Sequence, residues 1–168
     1  MRQSRLILEA SRESDTQAAG QALARALPGD ATGLLLALEG DLGAGKTTLA
    51  RALLRTLGAT GPVRSPTYTL VEPYDLPGGQ VLHVDLYRLS GADELEALGY
   101  RESRGTSRLT MVEWPERAPG ALGPVDLACR IDYAGAGRRL TLVPGTEAGA
   151  AWLQQLTGDR ADQIAELS

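Results

Sequence analysis

The sequence predicts one three-layer α/β domain, in which helices flank a central sheet of parallel and antiparallel strands. The 168 residues, 43% apolar and 23% charged, are typical of a single domain with a packed core. Strand-like apolar runs alternate with helical patterns early in the chain, which favours parallel pairing. Paired β-rich runs follow later, which favours hairpins, so we expect a mixed sheet.

The first elements are a short strand and an amphipathic helix. Leu6–Leu8 is a strand candidate. Ser14, with Gln17 three residues later, forms a capping pattern for a helix that small apolar residues continue up to Pro28. The continuous apolar run over 33–39 then predicts a buried parallel strand.

The middle of the chain combines helices with β-rich runs. Leucines between residues 49 and 57 lie on one helical face, and Gly58 ends that helix. The β-rich runs 65–74 and 80–88 are separated by DLPGG, which predicts either an antiparallel hairpin or strands joined by a mobile loop. A short acidic helix follows over 92–98.

The last third predicts three strands and a helix. Residues 108–113 form a buried strand, and 127–133 and 138–143 pair as a hairpin across AGAG. A C-terminal helix covers 147–156. We expect one domain over residues 1–168, in which the last dozen residues are a frayed tail.

Composition excludes several classes of function. A net charge of -4 argues against broad electrostatic binding to nucleic acid or to an anionic membrane. The single cysteine, Cys129, permits neither an intramolecular disulfide nor a Cys-rich metal site. The N-terminus lacks the apolar stretch of a signal peptide, and no run reaches the length of a membrane span. We therefore expect a cytoplasmic protein.

Residues 40–48, GDLGAGKTT, match the phosphate-binding loop G-x-x-x-x-G-K-S/T. Glycines let successive amides converge on phosphates, and the helix that follows presents its positive end to the same charge. Lys46 is the only lysine among 17 basic residues. The loop needs a lysine at this position, because a compact ammonium reaches between phosphate oxygens where a wide guanidinium does not. Thr47 supplies a hydroxyl ligand for Mg2+ in such loops.

ATP is the default nucleotide, since the chain has no asparagine and no second lysine for the guanine-reading N-K-x-D motif. Mg2+ bound to ATP needs an acid at the end of a second apolar strand, and both Asp85 and Glu113 fit. His83 is better explained as a hydrogen-bonded strand residue than as a metal ligand. Thr67 and Thr69 are either hydroxyl donors to phosphate or ordinary strand residues.

Five motifs between about residues 38 and 117 resemble the bacterial TsaE (YjeE) family: LEGDLGAGKTT, SPTYTLVEPY, HVDLYR, ELEALGY and VEWPER. The resemblance implies a P-loop NTPase fold and a small ATPase. It also implies that the protein acts together with TsaD and TsaB in the synthesis of threonylcarbamoyladenosine in tRNA. In that system ATP hydrolysis sustains turnover, and tRNA is met only indirectly through the complex.

The resemblance also implies roles for particular residues. Thr47 and Glu113 are the expected Mg2+ ligands, and Lys46, Asp85 and Glu113 are the expected catalytic residues. The residues 65–70 and 83–88 are similar to switch segments and are called here the switch-like segments. The expected nucleotide contacts are Asp15, Thr16, Asp41, Gly43, Ala44, Gly45, Lys46, Thr47, Thr48, Thr69 and Trp114.

Two other classes of function remain open from the residues. A small-molecule P-loop kinase would carry an arginine-rich lid, and Arg101, Arg104 and Arg108 are candidates for it, although a solvated face explains them as well. A non-catalytic adaptor would hold ATP only to stabilise an interface. The acidic pair Asp85 and Glu113 argues against the adaptor, because binding alone does not need two carboxylates near the metal.

Overall fold

The computed structural model describes residues 4–166, with side chains described through residue 158. The strands are β1 (Leu6–Ala10), β2 (Leu34–Gly40), β3 (Val71–Leu76), β4 (Gly79–Asp85), β5 (Leu109–Glu113), β6 (Leu127–Ala134) and β7 (Gly137–Pro144). The helices are α1 (Glu13–Ala26), α2 (Lys46–Thr56), α3 (Ala92–Ala97), α4 (Tyr100–Thr106) and α5 (Glu147–Glu166). A 3-10 turn covers Pro115–Arg117.

All seven strands form one sheet in the order β1-β7-β6-β2-β5-β4-β3. The central strand β2 is parallel to β5 and β6, and β4 is parallel to β5. The pairs β1–β7, β6–β7 and β3–β4 are antiparallel. The predicted mixed sheet is confirmed, and the hairpin is the correct alternative for the two β-rich runs, although residues 65–70 lie outside β3.

Helices cover both faces of the sheet, so the three-layer prediction is confirmed. The larger core contains buried residues of α1, α2 and α5, such as Leu23, Leu53 and Trp152. The smaller core, on the opposite face, contains Leu95 of α3 and Tyr100 of α4. Strand residues alternate between these two cores because successive side chains point to opposite faces.

Three helices differ from the prediction. The N-cap of α1 is Arg12, two residues before the predicted cap Ser14, and the carboxylate of Asp15 accepts a hydrogen bond from the Arg12 amide at 3.0 Å. α4 lies between the predicted acidic helix and the predicted strand over 108–113, where no element was predicted, and its buried Tyr100 hydroxyl donates to Leu122 O at 2.9 Å. α5 continues to Glu166, past the predicted end near Leu156.

Among the described residues, no helix is both long and apolar enough to cross a bilayer.

Candidate functional site

The phosphate-binding loop joins β2 to α2 at the carboxyl edge of the parallel strands. β2 is buried between two layers until it reaches Gly40, and α2 begins at Lys46. The loop turns through Gly43 (φ 80°) and Gly45 (φ 118°), which have backbone conformations that side chains disfavour. The strand, loop and helix predicted around this motif are confirmed.

Lys46 is folded back onto the loop that carries it. Its Nζ donates hydrogen bonds to Gly40 O at 2.5 Å and Asp41 O at 2.9 Å, and it lies 4.1 Å from the centre of the Trp114 ring. The side chain is buried, and this burial lowers the pKa of Lys46, while nearby carboxylates, Glu113 foremost, oppose the shift. A phosphate entering the loop would replace these neutral carbonyl acceptors with negatively charged oxygens, to which the ammonium binds more strongly.

Glu113 faces the loop from the end of β5. Thr47 Oγ1 donates to Glu113 Oε1 at 2.8 Å, and Glu113 Oε2 lies 2.6 Å from His83 Nε2. Both Glu113 and His83 are buried. These groups meet because β2, β4 and β5 are parallel, so their carboxyl ends share one edge of the sheet. The prediction that His83 is a hydrogen-bonded strand residue is confirmed.

The oxygens of Thr47 and Glu113 fit a magnesium ion. They are hard ligands, they belong to two different elements, and they lie beside a phosphate-binding loop. In the described part of the chain, no group of three or more His, Cys, Asp or Glu side chains could hold a metal by itself. That pattern suits Mg2+, which takes one or two protein oxygens together with substrate phosphates and water.

Asp85, at the end of β4, connects the two switch-like segments. Its Oδ1 accepts a hydrogen bond from the Tyr87 amide at 2.9 Å. Its Oδ2 accepts hydrogen bonds from the hydroxyls of Ser65 at 3.1 Å and Thr67 at 3.3 Å. Asp85 is buried and lines the same cleft as Lys46, so the carboxylate holds both segments beside the phosphate loop.

The two threonines of SPTYTL differ in their placement. Thr67 lines the cleft, whereas Thr69 is exposed and does not line it. The expectation that Thr69 contacts nucleotide therefore stays a prediction, for a side chain that lies outside this cleft. Ser65 takes part instead, and sequence analysis missed it, although the S-x-T spacing in SPT was a usable signal.

Trp114 closes one side of the cleft. It adopts a left-handed backbone conformation (φ 59°), which is uncommon for a bulky residue. This turn places its indole over Lys46 and 5.1 Å from the Tyr87 ring. The cleft has a volume of about 280 Å3 and includes Lys46, Thr47, Asp85, Glu113 and Trp114, as the sequence-based predictions required.

A second cleft, of about 330 Å3, lies on the other side of the loop. It is lined by the start of α1, the loop and the β6–β7 turn, and it includes Thr16, Thr48 and Arg138. Thr16 is buried, and its methyl group would lie 3.4 Å from a side chain added at Gly45. Asp15 does not line the cleft, because its carboxylate caps α1.

Side chains of the β6–β7 hairpin donate hydrogen bonds to backbone carbonyls of the phosphate loop and so stabilise its conformation. Arg138 Nε donates to Ala44 O at 3.1 Å, and Tyr133 Oη donates to Leu42 O at 3.0 Å. The guanidinium of Arg138 also stacks over the Tyr133 ring at 4.1 Å. Sequence analysis missed both residues, since no local pattern indicates which distant hairpin reaches the loop.

Known proteins are similar to this chain in sequence and in fold. The family described as "Threonylcarbamoyl adenosine biosynthesis protein TsaE" matches residues 10–140. The tRNA threonylcarbamoyladenosine biosynthesis protein TsaE of Haemophilus influenzae is 44% identical over 116 residues, which are 69% of this chain and 73% of that protein. The protein of the same name from Aquifex aeolicus is 36% identical over 136 residues, which cover 80% of this chain and 90% of the relative.

The likeness extends to a solved structure. The crystal structure of YdiB from Bacillus subtilis superposes with a TM-score of 0.75 at 26% identity, covering 95% of this chain and 99% of that one.

Proposed function

The chain belongs to the TsaE family of threonylcarbamoyl adenosine biosynthesis proteins, and from that premise we propose that it hydrolyses ATP with Mg2+ to sustain tRNA threonylcarbamoyladenosine synthesis. The observation that carries this proposal is the 2.8 Å hydrogen bond between Thr47 and Glu113 at the mouth of a complete phosphate loop. It joins the two oxygens that a nucleotide-bound Mg2+ requires.

Phosphate binding is the first step of the proposed mechanism. The loop amides from Gly43 to Thr48 and the Lys46 ammonium receive the phosphates, and α2 directs its positive end at them. Thr47 and Glu113 would hold Mg2+, which when bound supplies positive charge to the phosphate oxygens. Asp41 contributes through its backbone carbonyl, which accepts a hydrogen bond from the Lys46 ammonium.

The nucleoside is proposed to occupy the cleft on the far side of the loop. Thr16 and Thr48 line it, and its lining is largely backbone and small side chains, as a planar base needs. Asp15 would act there only through the start of α1 that it caps. ATP is favoured over GTP because the guanine-reading motif is absent from the sequence.

Hydrolysis depends on the switch-like segments. Asp85 draws both of them to the cleft through Ser65, Thr67 and the Tyr87 amide. Beyond the cleft, the Arg88 guanidinium stacks on the exposed Tyr68 ring at 4.7 Å. We expect slow hydrolysis by the chain alone, and faster hydrolysis when a partner orders these segments.

TsaB and TsaD are the proposed partners, in the cytoplasm, with tRNA reached only through their complex. The proposal treats residues 1–168 as one ATPase domain. The chain has a net charge of -4, which supports indirect rather than direct contact with the negatively charged tRNA.

The kinase alternative is weaker in this arrangement. Arg104 and Arg108 donate to the backbone carbonyls of Pro124 and Pro28, and Arg101 forms an exposed ion pair with Glu96. None of the three arginines lines the cleft that contains Lys46 and Glu113, called here the phosphate cleft. A mobile arginine lid is therefore not supported, and no specific observation favours a phosphate acceptor.

The test is release of inorganic phosphate from ATP by purified protein, without an added acceptor, compared with a Lys46→Ala variant. The proposal expects slow release that needs Mg2+ and is lost in the variant. A chain that forms ADP from ATP only when a small-molecule acceptor is added, with the phosphoryl group on the acceptor and no inorganic phosphate released, would instead be a kinase.

A further inference from the structure

His83 is buried next to a carboxylate in a way that core packing alone does not explain. It is the only histidine of the chain and has no solvent exposure. Its Nε2 lies 2.6 Å from Glu113 Oε2, so Nε2 carries the proton that the carboxylate accepts. Its Nδ1 is buried without a hydrogen-bond partner among the described residues.

That unpartnered nitrogen has an energetic cost. A buried polar atom left without a partner destabilises the fold, because it has lost its hydrogen bonds to water without replacing them. Neighbouring positions on the same strand, Val81, Leu82 and Val84, are filled by apolar residues that carry no such penalty. The exception at His83 therefore calls for a role that its Nε2 hydrogen bond provides.

The bond fixes the orientation of Glu113. One carboxylate oxygen, Oε1, accepts from Thr47 at the start of α2, and the other, Oε2, accepts from His83 on β4. His83 pairs in register with Met111, so its ring reaches two residues along β5 to contact Glu113. Because two different elements each hold one oxygen, the carboxylate has one orientation, with Oε1 toward the loop.

We propose that His83 is a positioning residue that presents Glu113 Oε1 to the Mg2+ arriving with the nucleotide. The inference rests on the proposed function, since it assigns a role toward the same metal. Hydrogen bonds of this kind to metal-ligating carboxylates commonly contribute about 10–100-fold to metal affinity.

Two amide substitutions test this role. His83→Gln places an amide nitrogen near the position of Nε2, whereas His83→Asn places one near Nδ1, too short to reach Glu113. Thr110→Val is the matched control, because Thr110 is also fully buried in the sheet, with a hydroxyl that lacks a partner among the described residues. Thermal unfolding of each variant without nucleotide verifies that it folds.

The measurement is the dissociation constant of a non-hydrolysable ATP analogue, by calorimetry, with Mg2+ and again with EDTA. The dissociation constant in EDTA divided by the dissociation constant in Mg2+ gives the factor by which the metal strengthens binding. We expect His83→Asn to lower this ratio about tenfold, His83→Gln to retain most of it, and Thr110→Val to match the unsubstituted chain. A purely structural role would weaken binding equally in both conditions and leave the ratio unchanged.

The outcomes separate the two claims. If the unsubstituted chain shows no Mg2+ dependence, the proposed function fails and this inference fails with it. If its Mg2+ dependence is strong and His83→Asn keeps the full ratio, only the positioning role of His83 is overturned. Equal losses in the Gln and Asn variants would also overturn it, since the reach of the donor would then not matter.

Discussion

At the scale of single residues, the ammonium and the carboxylate of the phosphate cleft each have their own set of hydrogen-bond partners. Lys46 is held by two backbone carbonyls and the Trp114 ring, and Glu113 is held by Thr47 and His83. Nucleotide binding replaces internal contacts rather than filling an unstructured gap. Each contact can therefore be tested by substitution.

Lys46→Ala should abolish ATP hydrolysis and weaken nucleotide binding, because it removes the only ammonium in the loop. Lys46→Arg should rescue poorly, since a planar guanidinium does not fit the buried position that Lys46 occupies. Phosphate release and calorimetric titration measure the two effects. Wild-type turnover in the arginine variant would show that shape at this position is unimportant.

Glu113→Ala should reduce Mg2+-dependent ATP binding more than Asp85→Ala. Glu113 contacts the Thr47 hydroxyl, whereas Asp85 contacts Ser65, Thr67 and the Tyr87 amide. Titrations with and without Mg2+ compare the two variants. The reverse order would exchange the roles assigned to the two acids.

Trp114 emission should change when ATP is added, because its ring lies 4.1 Å from the Lys46 ammonium that the phosphates would draw away. The change should persist in a Trp152→Phe variant, since Trp152 is buried against α1 and its Nε1 donates to Leu23 O. An unchanged spectrum at saturating ATP would place the nucleotide away from Trp114.

Short sequence motifs were sufficient to predict part of this site. Lys46, Thr47 and Glu113 follow from the loop motif and from an acid ending a buried strand, and the structure brings them together. Ser65 lines the cleft without having been predicted, and Thr69 does not line it, because the direction of a side chain in an irregular turn depends on packing rather than on pattern.

At the scale of secondary-structure elements, the loop is braced by a hairpin that lies almost a hundred residues away in sequence. Alternation in β6 and β7 predicted the hairpin itself, but not that Tyr133 and Arg138 reach Leu42 and Ala44. Such contacts depend on strand order, here β6 beside β2, which periodicity does not encode. The same limit explains α4, whose formation depends on the burial of Tyr100.

Arg138→Ala should weaken nucleotide affinity about fivefold, the equivalent of one hydrogen bond of roughly 1 kcal/mol. The cause is a looser loop, since Arg138 holds Ala44 O. Arg139→Ala is the matched control, because Arg139 forms an exposed ion pair with Glu9, of a kind that contributes little. Calorimetry with an ATP analogue compares them, and equal affinities would refute the brace.

At the scale of the whole molecule, exposed apolar side chains concentrate around the phosphate cleft. Leu42 and Tyr87 line it, Tyr68 lies on the adjoining switch-like segment, and Tyr133 contacts the loop. Leu42 is 69% exposed and Tyr68 is 83% exposed. Grouped exposed apolar residues commonly mark protein-binding surfaces. A partner covering this face would contact both switch-like segments.

Arg88→Ala should leave ATP binding by the isolated chain nearly intact while reducing stimulation by the partner complex. Arg88 is exposed and stacks on Tyr68 outside the cleft. Calorimetry measures binding, and phosphate release measures stimulation. Full stimulation of the variant would place the partner contact elsewhere.

The most direct test of the central claim is the rate of phosphate release from ATP with and without the cognate TsaB and TsaD proteins. We expect slow release by the chain alone and a clear rise when both proteins are present, because we propose that their binding orders residues 65–70 and 83–88 around Asp85. Equal rates in the two conditions, with binding of ATP and of the partners independently demonstrated, would contradict it.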